Sequence, residues 1–443
     1  MPTAPAKRPL DPAWSAPVLY ITLGILFAAI PIYKSVTREN NSGNKDYTLW
    51  YEIGNATRAG EPLYEARHNN EVKYLYPPPM AVLVYSPLSL LGPTGFVTAI
   101  AVFTAAMWAA CVALCLILMT DRWKGHARWL YVVPGLAVAS YMWDLQILGQ
   151  VNMVLLAMTL TAMLLVRRGH GLSAGLFLGT AIAIKGFPLP AIAYFIVRRQ
   201  WTAVASTLAS TVLVVFLLPA AVRGFERTAG ELQLWTQNMI GDQSGNAVGA
   251  RTSVGYTRRN QSLVSVSHRL LRDVHAGPDP EEQGRFTVNF ANVSPKTAQL
   301  VGFAACFGLG LVLLVTTRMK FAPTPLAEGL EVAMVTTLVI LCSPISWTYF
   351  FCWLLPAWTA VMICTVSPQL SAGTRKVAWS GAILAAVLLV SAVTEQIDPT
   401  LQSYGVTAWG TVTLFLTMAY ARWTLPNAVA VEAETPLPMK LAA

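Results

Sequence analysis

The chain has 443 residues, of which 55% are hydrophobic and only 12% are charged. Ordinary soluble domains carry about 25% charged residues, so this composition excludes a soluble protein. The formal net charge of +9 could suggest a nucleic-acid partner, but the Lys and Arg residues stand singly or in pairs at the ends of apolar runs. That distribution is typical of topology signals beside a membrane, and we expect no nucleic-acid partner.

Apolar runs recur from near Pro17 to near Tyr420. Each run must cross hydrocarbon as a helix, and placing the basic pairs in the cytoplasm gives roughly 12 crossings. The sequence therefore predicts an all-α polytopic membrane protein. Its expected parts are a cytoplasmic tail (residues 1–15), a transmembrane domain (16–422) and a second cytoplasmic tail (423–443). The first apolar run is predicted to be an uncleaved span rather than a signal peptide, because it is long and no small-x-small cleavage site follows it.

Two long polar segments, residues 35–93 and 223–296, are predicted to be external loops. In the first loop, aromatic and apolar residues recur at helical spacing from Tyr47, which predicts a short helix at the membrane surface. The stretch from Pro77 to Pro93 is apolar but interrupted by prolines. It is too short for an ordinary span, so we interpret it as a re-entrant or interfacial element.

The six cysteines all fall inside apolar runs, and neither polar loop contains one. Cysteines in an oxidising loop would suggest disulfides, whereas these are expected to be buried thiols. The chain also lacks the ligand spacing of a zinc site, an Asp-x-Asp metal motif, a Gly-rich phosphate loop and a nucleophile elbow. We therefore expect no metal and no cofactor, and the pattern gives no support to a nucleotide-sugar enzyme or a soluble hydrolase.

Three polar motifs interrupt the apolar runs: Gly149-Gln-Val-Asn152, Lys185-Gly-Phe-Pro188 and Ser343-Pro-Ile-Ser-Trp347. Under the predicted topology all three fall at external turns, on the side of both polar loops. The sequence therefore predicts that the candidate chemistry gathers on one external face.

Asp46 and Lys185 are the candidate charged groups on this face. Asp46 stands at the N-terminal edge of the predicted surface helix, where the helix dipole favours an ionised carboxylate. It could be a general base or a simple N-cap. Lys185 lies in an apolar hairpin, where an ammonium is costly unless an anion or a carbonyl pairs with it. It could bind a phosphate or reach past the apolar surface to the interface.

Other polar side chains remain open to two interpretations. Asp144 could be a second carboxylate or an interfacial residue. Arg251, Arg258 and Arg259, beside Asn260 and Gln261, could hold an anion or belong to a solvated loop. Tyr and Trp near the external turns are more often part of an interfacial belt than sugar-stacking platforms.

Seven motifs in order resemble glycosyltransferase family 87, the polyprenol-phosphate-mannose-dependent alpha-1,2-mannosyltransferases of the GT-C class. They are Asp46-x4-Tyr51-x2-Gly54-x-Ala56, Gly60-x2-Leu63-Tyr64, Tyr74-x-Tyr76-Pro-Pro, Gly149-Gln-Val-Asn152, Lys185-x2-Pro188, Asn260-Gln-Ser-Leu263 and Ser343-Pro-Ile-Ser-Trp347. The resemblance extends from about Lys34 to Trp353. Each motif is weak alone, but seven in the right order are fairly specific.

This resemblance implies a GT-C-like fold and an inverting transfer of a sugar, mannose, from a polyprenyl-phosphate donor to a glycan or glycolipid acceptor. It implies a site on the external face of a bacterial inner (plasma) membrane, with Asp46 as general base. Binding of the donor phosphate or substrate is expected from a further set of residues. They are Lys185, Tyr76, Gln150, Asn152, Arg258, Arg259, Asn260, Gln261 and Trp347. Family members often carry a histidine after the Ser-Pro-x-Ser-Trp motif, whereas this chain has Thr348, Tyr349 and Phe350.

Two other functions fit parts of the sequence. A transporter or lipid flippase could line a substrate path with Lys185 and Asp144. A catalytically inactive relative that acts as a scaffold could tolerate the absent histidine. A transferase needs the carboxylate in the external loop, whereas a transporter needs polar groups at the membrane midplane, so Asp46 separates the hypotheses.

Overall fold

A computed structural model describes residues 12–37, 45–64, 74, 76–239, 256–277, 286–318, 324–390 and 400–425. Within these ranges every regular element is a helix. The prediction of an all-α protein is therefore confirmed.

The helices of four or more α-helical residues are numbered in chain order. They are α1 (Pro12–Thr37), α2 (Lys45–Arg58), α3 (Gly92–Thr120), α4 (Arg128–Leu136), α5 (Ala139–Leu148), α6 (Asn152–Arg167), α7 (Gly171–Ile184), α8 (Ile192–Val197), α9 (Trp201–Val212), α10 (Leu218–Arg223), α11 (Phe225–Met239), α12 (Leu263–Leu271), α13 (Pro295–Arg318), α14 (Pro325–Cys342), α15 (Leu355–Val366), α16 (Ala372–Val390), α17 (Thr400–Ser403) and α18 (Val406–Thr424). Short 3₁₀ or π turns join several of them, including Met80–Tyr85, Ser89–Leu91, Leu189–Ala191, Leu213–Leu217 and Thr348–Leu354.

Seven helical stretches of the described chain are long and apolar enough to cross a membrane. They are Trp14–Thr37, Met80–Thr120, Trp201–Arg223, Pro295–Thr317, Pro325–Cys342, Thr348–Val366 and Ala372–Val390. The pair α5 and α6 qualifies only jointly and bends by 120° at its break. These helices confirm an integral membrane protein. The other expected crossings fall on helices α4, α7, α8 and α18, which are not among these seven stretches, so the total of roughly 12 stays a prediction.

The spans divide into an outer and a central set. The first span and those at Trp201–Arg223, Pro295–Thr317 and Ala372–Val390 are buried over less than a third of their apolar windows, whereas Pro325–Cys342 and Thr348–Val366 are buried over 78% and 94%. Helices that are apolar on all sides yet exposed within the fold are suited to lipid contact. The enclosed helices α14 and α15 therefore form the centre of the bundle.

Helix α2 confirms the short helix predicted after the first span. Its Tyr47, Trp50 and Ile53 are buried, and the Trp50 ring stacks on Tyr85 with 5.4 Å between centroids. Tyr85 belongs to the proline-interrupted stretch, which forms helical turns that lead into α3 at Gly92. This stretch therefore packs against the loop helix, and the interfacial location expected for it stays a prediction.

Close packing of α7 on α9 fixes the direction in which α7 ends. Gly175 and Gly179 face Ser206 and Ser210 with no room for a Cβ atom. The Ser210 hydroxyl donates to the Gly175 carbonyl over 2.9 Å. Because α7 stops at Ile184, the next residue, Lys185, leaves the helix in an extended conformation.

Buried Arg269 organises the described part of the second loop. Its guanidinium donates to the carbonyls of Ser403, Thr257 and Asn260 over 2.8, 2.9 and 2.6 Å. Desolvation lowers the pKa of Arg269 to about 9, and these carbonyls compensate its charge. The loop is thereby tied to the turn before α18.

A second set of charges lies at the opposite end of the bundle. Buried Glu331 on α14 accepts from Arg198 and, over 2.9 Å, from Arg422. Arg167 pairs with Asp121 over 2.7 Å. Since α6 runs from Asn152 to Arg167, these basic residues and the turn before α6 lie at different ends of the bundle. We call the end with that turn the site end.

We predict that Glu331→Gln destabilises the protein by about 3 to 5 kcal/mol, because removing the shared carboxylate leaves the buried Arg422 guanidinium and the partly buried Arg198 guanidinium uncompensated. Thermal unfolding of purified protein in detergent measures the effect. Glu226 is an exposed carboxylate on α11. The Glu226→Gln variant therefore serves as the control and should unfold like the wild type. Equal midpoints for both variants would contradict the prediction.

Candidate active site

Asp46 lies in the first turn of α2 and is half-buried. Its Oδ2 accepts a hydrogen bond from the side-chain amide of Gln150, with 2.8 Å between the two atoms. A helix cap involves only backbone groups of the same helix, whereas Gln150 belongs to a segment 104 residues away along the chain. The carboxylate is instead held within the tertiary structure.

The turn that carries Gln150 is built on Gly149. Gly149 ends α5 with φ of +67°, a left-handed conformation suited to glycine. A Cβ atom there would lie 2.7 Å from the ring of Tyr47. The Tyr47 hydroxyl donates to the Gln146 carbonyl over 2.9 Å. Helix α2 is therefore docked on the end of α5, which brings Asp46 beside Gln150.

Tyr76 is the second partner of Gln150. Its hydroxyl donates to Gln150 Oε1 over 2.7 Å, and its side chain is buried. Burial raises the pKa of Tyr76 well above its usual value, with smaller contributions from Tyr349 and Asp46. The phenol is therefore protonated and acts as a donor.

Lys185 completes a cluster with Asp46, Tyr76 and Gln150. Its Nζ donates to Asn152 Oδ1 over 3.0 Å and to Gln150 Oε1 over 3.5 Å. The same atom lies over the rings of Tyr76, Tyr349 and Phe350, at 5.1, 5.4 and 4.6 Å from their centroids. Aromatic faces and amide oxygens both attract an ammonium. The structure thus places Asp46 and Lys185 at the two ends of one amide group.

The aromatic wall of the cluster comes from the 3₁₀ segment Thr348–Leu354. Phe187 packs edge to face against Phe350 and Trp353, with 4.7 Å between centroids in each pair. The Trp353 indole donates to the Asn152 carbonyl over 2.7 Å. Sequence analysis noted Tyr349 and Phe350 only as positions that lack a histidine, and it gave Trp353 no role. Their one signal was their place just after the Ser-Pro-Ile-Ser-Trp motif.

Asn260 and Gln261 hold the Ser343–Trp347 turn. Asn260 accepts from the backbone amide of Ser346 over 3.0 Å and donates to the Pro344 carbonyl over 3.1 Å. The backbone amide of Gln261 donates to the Ser346 carbonyl over 2.8 Å. These contacts position the turn that precedes the aromatic wall.

Of the remaining predicted residues, Trp347 contacts the aromatic wall. Trp347 is partly exposed, with its ring centroid 6.2 Å from that of Tyr349. Arg258 is half-buried and Arg259 is exposed in the second loop, while Asp144 is half-buried on α5. Arg251 lies outside the described residues. Sequence reasoning thus found the central five residues (Asp46, Tyr76, Gln150, Asn152 and Lys185), and the structure brings these five together.

The part of the chain that the structure describes holds no group of three or more His, Cys, Asp or Glu side chains suited to a metal ion. The cluster itself offers a fixed carboxylate, a partly enclosed ammonium and several amide and phenol groups. A carboxylate can take a proton from a hydroxyl, and an ammonium with neighbouring donors can hold a phosphate. This pairing is suited to group transfer from a phosphate-linked donor.

Comparison with known proteins gives the same class, a membrane-embedded glycosyltransferase. Residues 74–344 match glycosyltransferase family 87, and the chain belongs to that family. The match contains Tyr76, Gln150, Asn152 and Lys185 of the cluster, whereas Asp46 precedes it.

Two curated relatives come from Mycolicibacterium smegmatis. One is a polyprenol-phosphate-mannose-dependent alpha-(1-2)-phosphatidylinositol pentamannoside mannosyltransferase, 28% identical over 78% of this chain and 75% of its own length. The other is the corresponding phosphatidylinositol mannoside mannosyltransferase, 24% identical over 78% and 74%. Among solved structures, the chain is similar to apo ArnT from Cupriavidus metallidurans, with a TM-score of 0.38 and 15% identity over 92% of this chain and 77% of that one.

We predict that Gly149→Ala lowers sugar transfer on the order of 10- to 100-fold, because a Cβ atom would displace Tyr47 and with it the helix that carries Asp46. Gly169→Ala is the matched control. Gly169 also has a positive φ, of +79°, but open space around its Cβ position. Initial rates of transfer in proteoliposomes measure both variants. Equal rates for the two would show that backbone strain, rather than the Tyr47 contact, sets the effect.

Proposed function

We propose that this chain is an inverting mannosyltransferase that moves mannose from a polyprenyl-phosphate donor to a glycan or glycolipid acceptor. The observation that carries the proposal is the placement of Asp46 and Lys185 at opposite ends of the Gln150 amide. The donor named for both curated relatives, polyprenol-phosphate mannose, supports the choice of sugar and carrier. The names of the same relatives support an alpha-1,2 linkage and a glycolipid acceptor.

In the proposed reaction, Asp46 takes the proton of the acceptor hydroxyl as that oxygen bonds to the anomeric carbon. The bond from the anomeric carbon to the phosphate oxygen breaks, and its electron pair leaves with the polyprenyl phosphate. Attack opposite the leaving group inverts the anomeric configuration, so a beta-linked donor gives an alpha-linked product. The base remains protonated until it releases its proton to solvent.

Lys185 is the group we assign to the leaving phosphate. An ammonium has three N–H donors, and the two amide oxygens nearest to Nζ lie at 3.0 and 3.5 Å. Two of these donors are directed at the amide oxygens, which leaves the third for a phosphate oxygen. A positive charge placed where negative charge develops stabilises the transition state in a water-poor site.

We propose that the site end faces the external side of a bacterial plasma membrane. Arg167, Arg198 and Arg422 lie at the other end, where they contact Asp121 and Glu331. An excess of basic residues marks the cytoplasmic face of membrane proteins. The donor would then enter from the outer leaflet, and no metal or cofactor is required.

Family membership favours a transferase over the transporter or flippase that the sequence left open. The inactive-relative hypothesis concerns residues 348–350, where Tyr349 and Phe350 stand over Lys185. Those rings stand where an imidazole could contact the donor phosphate, and the cluster retains both charged groups, Asp46 and Lys185, that transfer needs. Activity with a lipid-linked donor separates the transferase from the other two hypotheses.

We predict that Asp46→Asn lowers kcat on the order of 10²- to 10⁴-fold, the contribution expected of a general base. The assay uses purified protein, radiolabelled polyprenyl-phosphate mannose and a phosphatidylinositol mannoside acceptor. Glu52→Gln is the matched control, because Glu52 is an exposed carboxylate on the same helix and should leave the rate unchanged.

Equal product from wild type and Asp46→Asn would remove Asp46 as the base. No product from the wild type with any lipid-linked sugar would favour the transporter or the inactive relative. Product from GDP-mannose without a lipid carrier would contradict the proposed donor class.

We predict that Lys185→Met lowers kcat/KM for the donor on the order of 10²- to 10³-fold, as loss of one transition-state donor does. Lys185→Arg keeps the charge and should retain more activity. Lys124→Met is the control, since Lys124 also lies over aromatic rings, those of Trp14 and Trp123, but away from the cluster. Similar losses in the Lys185→Met and Lys124→Met variants would show a packing role only.

A further inference from the structure

We propose that Gln150 is a positioning residue: its amide fixes the orientation of the Asp46 carboxylate and couples that carboxylate to the Lys185 ammonium. This inference rests on the proposed function, because Gln150 can position a general base only if Asp46 is that base. It also replaces the expectation that Gln150 binds substrate directly.

The hydrogen-bond partners determine which way the Gln150 amide points. Lys185 can only donate, and the protonated phenol of Tyr76 has its hydrogen directed at the same oxygen. Asp46 lies on the other side of the amide, and an ionised carboxylate can only accept. Oε1 therefore lies on the Lys185 side, and Nε2 faces Asp46, where it donates to Oδ2 over 2.8 Å. A flipped amide would place N–H groups against the ammonium and the amide oxygen against the carboxylate.

This orientation has a consequence for the base. A hydrogen bond donated to a carboxylate favours its ionised form, which is the form that accepts a proton. The donor is itself polarised, because Lys185 lies against the oxygen of the same amide and hydrogen bonds in such a chain strengthen one another. The positive charge of Lys185 thus strengthens the hydrogen bond to Asp46 by polarising the Gln150 amide.

The amide has little capacity left for a substrate. Gln150 is 5% exposed, its oxygen faces two donors, and one of its two N–H groups is used by Asp46. The adjacent left-handed residue, Gly149, fixes the backbone of the turn. A side chain that is buried and engaged at both ends is suited to positioning rather than to binding a ligand that comes and goes.

The first test replaces the amide itself. Gln150→Met should lower kcat on the order of 10- to 100-fold, as loss of a residue supporting a catalytic group does, with little change in the donor KM. Gln150→Glu puts a second carboxylate beside Asp46, so the acid limb of the kcat–pH profile should move up by about one pH unit or more. Activity should then recover at high pH. Gln146→Met, a buried glutamine one turn earlier whose amide donates to the Ala101 carbonyl, should keep the wild-type profile.

The second test leaves the amide intact and removes the hydroxyl that orients it. Tyr76→Phe keeps the ring over Lys185 and should lower kcat while the donor KM changes little. Tyr85→Phe is the matched control, because the buried Tyr85 hydroxyl has no hydrogen-bond partner among the described residues, and it should behave as wild type. This pair decides the question even if the Gln150 variants fail to fold.

The outcomes separate the inference from the proposed function. A wild type without transferase activity would overturn the proposed function and, with it, this role of Gln150. An active wild type would overturn the positioning role alone if Gln150→Glu kept the wild-type pH profile, or if Gln150→Met raised the donor KM at constant kcat. Equal kcat for Tyr76→Phe and Tyr85→Phe would also overturn it.

Discussion

An ionised side chain within a bundle that lies in lipid is costly unless nearby groups compensate its charge. At the site end, a carboxylate and an ammonium are compensated through the amide of Gln150. The surrounding contacts hold that amide in place: Tyr47 docks α2 against the Gly149 turn, and Trp353 donates to the Asn152 carbonyl. The docking of α2 and the packing of the Thr348–Leu354 segment therefore both position the turn that carries the Gln150 amide.

The two ends of the bundle use charge differently. Glu331 is shared by Arg198 and Arg422, and such close pairing in a buried place fixes helices relative to one another. At the site end, the charges of Asp46 and Lys185 meet neutral amides, a phenol and aromatic rings. A neutral partner leaves the net charge of each group in place for proton or phosphate binding, whereas an opposite charge cancels it. This difference supports a structural role for one cluster and a chemical role for the other.

Much of the site could be predicted because polar residues that interrupt apolar runs are rare and conspicuous. Gln150, Asn152 and Lys185 stood out in this way, and ordered motifs pointed to Asp46 and Tyr76. Tyr349, Phe350 and Trp353 could not be found, since aromatic residues in an aromatic-rich membrane sequence look alike whether they face lipid or an ammonium. The contacts of Gln150 with both Asp46 and Lys185 could not be predicted either, because they depend on three segments of the chain meeting in space. Helix content followed from apolar periodicity, whereas the crossing number depends on breaks such as Gly149 that periodicity does not resolve.

A structure of the protein bound to a non-transferable phosphonate analogue of polyprenyl-phosphate mannose tests most directly whether Asp46 and Lys185 share one donor site. The predicted result is density for the phosphonate in contact with Lys185 Nζ and for the sugar between that group and Asp46. Density for the headgroup beside Arg198 and Arg422, or at the site end with Asp46 out of reach of the anomeric carbon, would contradict it.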